Sequence, residues 1–132
     1  ASLIKRLGLR EHFEALGLCP PERMVAELKR CNVFICPSSI ENSPNSLGEA
    51  QLTGVPCIAS YAGGIPDFAA GGAALLYRFE ETEMLAAHVC SVFRDPELAE
   101  KLSAAGADAA AKRHDRNAIC EEMMRIYREI AG

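Results

Sequence analysis

Two carboxylates eight positions apart, Glu41 and Glu49, bracket the core of the stretch Pro37-Ser38-Ser39-Ile40-Glu41-Asn42-Ser43-Pro44-Asn45-Ser46-Leu47-Gly48-Glu49-Ala50. An ionised carboxylate accepts two hydroxyl hydrogen bonds side by side, which suits the vicinal diol of a ribose or a hexose. The backbone amides of Ser46, Leu47 and Gly48 fall at an expected helix start, where they would point outward, unpaired and weakly positive. Such an end suits a diphosphate. A plainer reading stands beside this one. Ser46 and Glu49 also have the S-x-x-E spacing of a capping box, in which Glu49 satisfies the Ser46 amide and binds nothing else. Taken alone, Glu41 is a solvated loop acid. Gly63 and Gly64 are either turn residues or a place where a ligand comes close to the backbone.

The surrounding elements decide whether these groups meet. Val33-Phe34-Ile35-Cys36 is a continuous apolar run stopped by Pro37, as expected of a buried parallel strand. A polar loop, 38–45, then leads to a helix from about Ser46 to Thr53 that Gly54 ends. This places the glutamates at the carboxyl edge of an open α/β sheet, where ligands bind. Pro56 to Ser60 is a second buried strand, Ile65 to Ala70 a short helix, and Ala74 to Tyr77 a last strand.

Upstream, residues 2–7 read as the end of a helix terminated by Gly8, and His12 to Leu16 alternates as a short strand would. Pro20-Pro21-Glu22 opens a helix with Val25, Leu28 and Cys31 on one face. Downstream the chain is helical. Thr82 is expected to cap a helix with Leu85, Ala86, Val89, Cys90 and Phe93 apolar. Asp95-Pro96-Glu97 starts another, lined by Leu98, Leu102, Ala105 and Ala109. The last helix presents Ile119, Met123, Ile126, Tyr127 and Ile130 as a stripe expected to be core. His114 before Asp115 reads as a helix junction, and Asp67 as a first-turn helix acid. The order predicts an α/β fold: a three-layer Rossmann-like parallel sheet, truncated at its N-terminal side, with a helical C-terminal tail. Residues 1–132 form a single domain in this reading.

Composition narrows the function classes. The 132 residues are 49% apolar and 24% charged, typical of a globular domain. A formal charge of -4 offers a phosphate backbone no basic footprint, so nucleic acid is not an expected partner. Lys5, Arg6 and Arg10 read as one solvated face. No apolar run approaches the roughly 20 residues of a spanning helix. Ala1 to Lys5 turns polar too quickly for a signal peptide. The six cysteines form no C-x-x-C pair and several fall in apolar patterns, so they are expected to be reduced, in a cytoplasmic setting. His12, His88 and His114 lack ligand spacing to them, so no zinc is expected. A phosphoacceptor signalling domain would need clustered strand-end aspartates, and Asp67, Asp95, Asp108 and Asp115 sit elsewhere.

The two glutamates, after a Pro-Ser and before Ala50-Gln51-Leu52-Thr53-Gly54-Val55-Pro56-Cys57-Ile58-Ala59-Ser60, resemble the signature of group 1 (family four) glycosyltransferases. Gly63-Gly64-Ile65-Pro66-Asp67 resembles that family's next block, and Gly8 to Cys36 the stretch before it. The likeness runs in the family's order over nearly the whole chain. It implies the C-terminal, nucleotide-sugar-binding domain of a two-domain GT-B enzyme, transferring a sugar from a UDP- or GDP-type donor with retention. The acceptor would be a glycan or a lipid-linked molecule held by an N-terminal domain, and the full-length enzyme would be cytoplasmic or peripheral to the membrane.

The resemblance further implies that Glu49 binds the ribose hydroxyls and that Glu41, the candidate catalytic residue, lies by the transferred sugar. Asn45, Ser46, Leu47, Gly63 and Gly64 would be donor-binding, and the Leu18 to Glu22 loop would approach the base. No cofactor is implied, and with no Asp-x-Asp pair to hold a metal, a metal-free reaction fits. Two departures stand out. Where the family commonly has Gly-Phe-Gly, this chain has Asn42-Ser43-Pro44, and Pro44 has no N–H to give. The family's basic pair for the diphosphate lies in earlier strands. In the family's strand order, the absence of those strands leaves the His12 to Leu16 strand three fates: pairing directly with Val33 to Cys36, detaching, or pairing in a homodimer through an exposed edge.

Overall fold

The computed structural model describes residues 3–132. Three parallel strands, β1 (Phe34–Cys36), β2 (Cys57–Ser60) and β3 (Leu75–Tyr77), form one sheet in the order β1-β2-β3. Ile35 stands opposite Ile58, and Ile58 opposite Leu75. The helices are α1 (Leu3–Arg6), α2 (Pro21–Arg30), α3 (Asn45–Leu52), α4 (Ile65–Ala69), α5 (Thr82–Arg94), α6 (Pro96–Arg113) and α7 (Arg116–Ala131). The expected helix end at 2–7 is α1, with Ser2 outside the described residues.

Side chains alternate across a strand, so β2 feeds two cores. Cys57 and Ala59 face Leu28 of α2, Leu47 and Ala50 of α3, and Ile65 and Ala69 of α4. Ile58 faces the other way, into Val92 of α5 and Leu102 of α6. All four β2 residues are buried, which is why the strand reads as an unbroken apolar run. This is the three-layer sandwich expected. Its second half turns on α6, whose Gly106 and Ala110 are buried where that helix packs on α3. A Cβ on Gly106 would come to 3.2 Å from the Ala73 carbonyl and 3.3 Å from the Gln51 side chain, a tight fit in which a neighbour would have to shift slightly.

Chain punctuation follows the sequence at several points. Gly54 (φ 77°) ends α3, its amide returning to Gln51 and that of Val55 to Ala50. Asp95 caps α6, accepting the Leu98 amide at 3.0 Å, and Asp115 caps α7, accepting from Asn117 and Ala118. His114 is the C-cap of α6, so His114-Asp115 is indeed a helix junction.

Four expectations are corrected. First, His12 to Leu16 forms no strand: Arg10–His12 is a short 3-10 turn, and 13–20 has no regular element. An alternating pattern needs a neighbour to complete its hydrogen bonds, and among the described residues β1 pairs only with β2. Of the three fates, direct pairing with β1 does not occur. Second, Thr82 is the first residue of α5; Glu81 occupies the cap without a side-chain bond. Third, the buried face of α5 runs through Leu85, Val89 and Val92, while Cys90 and Phe93 are exposed. Likewise on α2 only Leu28 is buried, with Val25 and Cys31 exposed. Fourth, the α7 stripe is not core: every residue of α7 is exposed, Ile130 at 77%. Periodicity reports an apolar face, not whether these residues supply its cover.

All six cysteines are free thiols, and Cys36 and Cys57 are buried. The Cys57 thiol donates to the Val55 carbonyl at 3.1 Å. Desolvation, with a smaller push from Cys36, raises its pKa from 9.0 to about 12. The folded chain therefore holds this proton more tightly than the unfolded one. The resulting stability is intact below pH 9.0 and lost as pH rises towards about 12. At about pH 8, a thiol reagent is expected to label Cys31, Cys90 and Cys120 quickly and to leave Cys36 and Cys57 unmodified until unfolding. Fast labelling of Cys57 in native protein would contradict this burial.

Candidate functional site

The carboxyl ends of β1 and β2 release two adjacent loops, 37–44 into α3 and 61–64 into α4. Glu41 lies in the first loop, half-buried, and is held at both oxygens. Oε2 accepts the Ser38 hydroxyl at 3.3 Å and Oε1 accepts the Asn42 amide at 3.0 Å. Ser38 has one hydroxyl proton, so when it serves Glu41 the Cys36 thiol, at 3.7 Å, is the donor to the Ser38 oxygen. Beneath them Ser60, fully buried, donates its hydroxyl to the Ser38 carbonyl at 2.5 Å.

Gly63 and Gly64 lie against this same loop. A Cβ on Gly63 would run into the Glu41 carbonyl, and one on Gly64 into the Asn42 carbonyl. Gly63 has φ 49°, but Gly64 has φ −83°, open to any residue. The close backbone approach that requires glycine at both positions is thus made by the chain's own Glu41-Asn42 segment.

Helix α3 begins at Asn45, one residue earlier than expected, with buried Pro44 at the cap. The Pro44 carbonyl accepts the amides of both Leu47 (3.0 Å) and Gly48 (3.1 Å), and the Asn45 amide turns back to Ser43. The expectation of three outward, unpaired amides is therefore corrected. The shift puts Gly48 inside the helical ladder, and only the Ser46 amide lacks a partner among the described residues. The side chain of Leu47 is fully buried, whereas those of Asn45 and Ser46 are exposed.

The same shift removes the capping box. Ser46 is the second residue of α3 rather than its cap, and no bond joins it to Glu49. The Glu49 carboxylate is exposed and takes no hydrogen bond among the described residues. It stands at a cavity of about 300 Å³ with Cys19, Pro21, Met24 and Val25. The sequence motif thus divides between two surroundings: Glu41 is bound up with Gly63 and Gly64, and Glu49 faces the loop before α2 and that helix's first turn. Cys19 and Pro21 lie in the Leu18 to Glu22 loop expected near the base, whereas Met24 and Val25 were not foreseen there, because an apolar wall carries no spacing signal.

A further cavity, about 340 Å³, opens beyond the end of β3 between Tyr61, Arg78, Glu81 and His88. The His88 ring contacts the Leu76 carbonyl at 3.1 Å, which fixes its proton on Nε2. Neither glutamate reaches this cavity, so size alone does not mark the site. No helix of the described residues is long and apolar enough to cross a membrane.

Comparison with known proteins identifies the family and the fold. The family model described as "Glycosyl transferases group 1" matches residues 1–109. Alpha-maltose-1-phosphate synthase of Mycolicibacterium smegmatis is 30% identical over 131 residues, covering 91% of this chain and 33% of that protein. Sucrose-phosphate synthase from Thermosynechococcus elongatus superposes with a TM-score of 0.86 at 25% identity, over 97% of this chain and 32% of the other. Anabaena HepE, solved in complex with UDP and glucose, also gives 0.86, at 23% identity, over 96% of this chain and 34% of its own. The chain spans about a third of the length of these relatives.

Proposed function

This chain belongs to the group 1 glycosyltransferases, and from that membership we propose that it is most of the C-terminal donor-binding domain of a longer, retaining hexosyltransferase. The donor is a UDP- or GDP-type nucleotide-sugar and the acceptor a glycan or lipid-linked molecule, in the cytoplasm or at its membrane surface. Six free thiols support that compartment. By itself the chain binds donor without turning it over.

One observation carries the reading: Glu49 is a carboxylate with no hydrogen-bond partner among the described residues, at the mouth of the cavity between α3 and the start of α2. Pairing of a ribose diol with this carboxylate would lay the base on Pro21, Met24 and Val25. Burial of a flat ring against such apolar groups is favourable. From there the diphosphate would run along the α3 start, towards the free Ser46 amide and the exposed side chains of Asn45 and Ser46. Glu41, fixed at both oxygens, would stand beside the transferred sugar. Gly63 and Gly64 would then border that sugar through the Glu41 loop they support. Preorganised dipoles aimed at the departing diphosphate supply the rate, and with no Asp-x-Asp pair the reaction runs without a metal.

Titration of UDP, GDP and ADP into the chain, and into the full-length protein, tests this by calorimetry. Saturable binding of one nucleotide names the donor class. Silence from all three in the full-length protein sinks the donor-site reading. Retention is checked separately from the anomeric configuration of the product by NMR.

A further inference from the structure

Ser60 closes a strand whose other residues, Cys57, Ile58 and Ala59, are apolar, and it is itself fully exposed to no solvent. Burying a hydroxyl is unfavourable unless it finds a partner, and packing here would favour alanine. The shorter of the two contacts Ser60 makes is outside the β1–β2 ladder. Its hydroxyl crosses to the next loop and holds the Ser38 carbonyl at 2.5 Å, with the Cys36 carbonyl at 3.4 Å. The hydroxyl of that same Ser38 reaches Glu41. On the other flank, Gly63 and Gly64 seat the Glu41 and Asn42 carbonyls. Residues 60–64 thus grip the Glu41 loop at Ser38 and again at Glu41 and Asn42.

We propose that Ser60, acting through Ser38, is a positioning residue for Glu41, and that Gly63 and Gly64 complete the clamp. Glu49 belongs to a different surrounding, against α2, and shares none of these contacts. The clamp therefore governs the sugar end of the donor site and not the nucleotide end. This inference rests on the reading of Glu41 as the residue beside the transferred sugar.

The test compares, in the full-length protein, affinity for a nucleotide with affinity for its sugar conjugate, using UDP with UDP-glucose and GDP with GDP-mannose. The gain in affinity from adding the sugar is the readout. Ser60→Ala and Ser38→Ala are expected to cut that gain about fivefold, as one lost hydrogen bond would. Both are expected to leave the affinity for bare nucleotide within about twofold. Ser60→Thr, which keeps the hydroxyl, is expected to restore most of it. Hydrogen exchange in residues 38–43 should quicken in Ser60→Ala. Ser38→Ala, at a half-buried position, guards against Ser60→Ala failing to fold.

If Glu41→Gln loses the sugar gain while Ser38→Ala and Ser60→Ala keep it, the clamp is wrong and the Glu41 reading stands. An equal loss of nucleotide and sugar affinity would mean a general collapse of the site and also overturns the clamp. An unchanged sugar gain in Glu41→Gln, or no binding of either pair, removes the reading of Glu41 and the clamp with it.

Discussion

Glu49→Ala is expected to weaken nucleotide binding about ten- to a hundredfold, since hydrogen bonds to a charged group contribute about 1.5–3 kcal/mol. It is expected to do so without harming the fold. The carboxylate is exposed, caps nothing and accepts no hydrogen bond among the described residues, and alanine at the fifth position of α3 is a better helix former. Glu49→Gln keeps one acceptor oxygen but loses the charge and should fall between the two. Calorimetry on wild type and both variants, with urea unfolding run in parallel, separates loss of binding from loss of structure. Tight nucleotide binding by Glu49→Ala would show that the free carboxylate beside α2 is an idle surface acid.

The second large effect concerns stability. Gln51 is fully buried, and its amide nitrogen donates to the carbonyls of Phe68 (2.8 Å) and Ala73 (3.1 Å). Its oxygen accepts from Arg113 at 3.3 Å, and the Arg113 guanidinium lies over the Phe68 ring, 3.8 Å from its centre. Burial lowers the Arg113 pKa, and nearby Asp67 opposes that shift. One side chain thereby joins α3, α4, the turn before β3 and the end of α6. Removing it takes the donor from the buried Ala73 carbonyl and the part-buried Phe68 carbonyl and opens a cavity. Gln51→Ala is expected to cost about 3 kcal/mol. Gln51→Leu refills most of the volume and isolates the polar share, expected at about 2 kcal/mol. Urea midpoints for both variants measure these costs. A Gln51→Leu chain as stable as wild type would show that packing alone joins these elements.

Much of this was legible in the residues. Val33 to Cys36 and Pro56 to Ser60 read as strands because a parallel sheet covered on both faces leaves no polar alternation. Asp95 and Asp115 were legible as junction residues because a cap acts within three residues of itself. The glutamate block was legible because its spacing and its order with the glycine pair are properties of the linear chain. Other features were not. The S-x-x-E spacing of Ser46 and Glu49 suggested a capping box, but buried Pro44 took the cap and moved the helix start by one residue. His12 to Leu16 had the pattern of a strand without a neighbour to make it one. The stripe on α7 promised a core, and its residues stand exposed.

By itself, then, the sequence determined the parallel α/β class and the family, since each rests on local periodicity or on residues in fixed order. Only the tertiary structure decided that Glu49 is free and faces α2, that Glu41 is held at both oxygens, and that Gly63 and Gly64 are small for the sake of Glu41 and Asn42. The physical reason is the same in each case. These are contacts between segments brought together by the sheet, and a hydrogen bond or a steric limit across space leaves no mark on the spacing of residues along the chain.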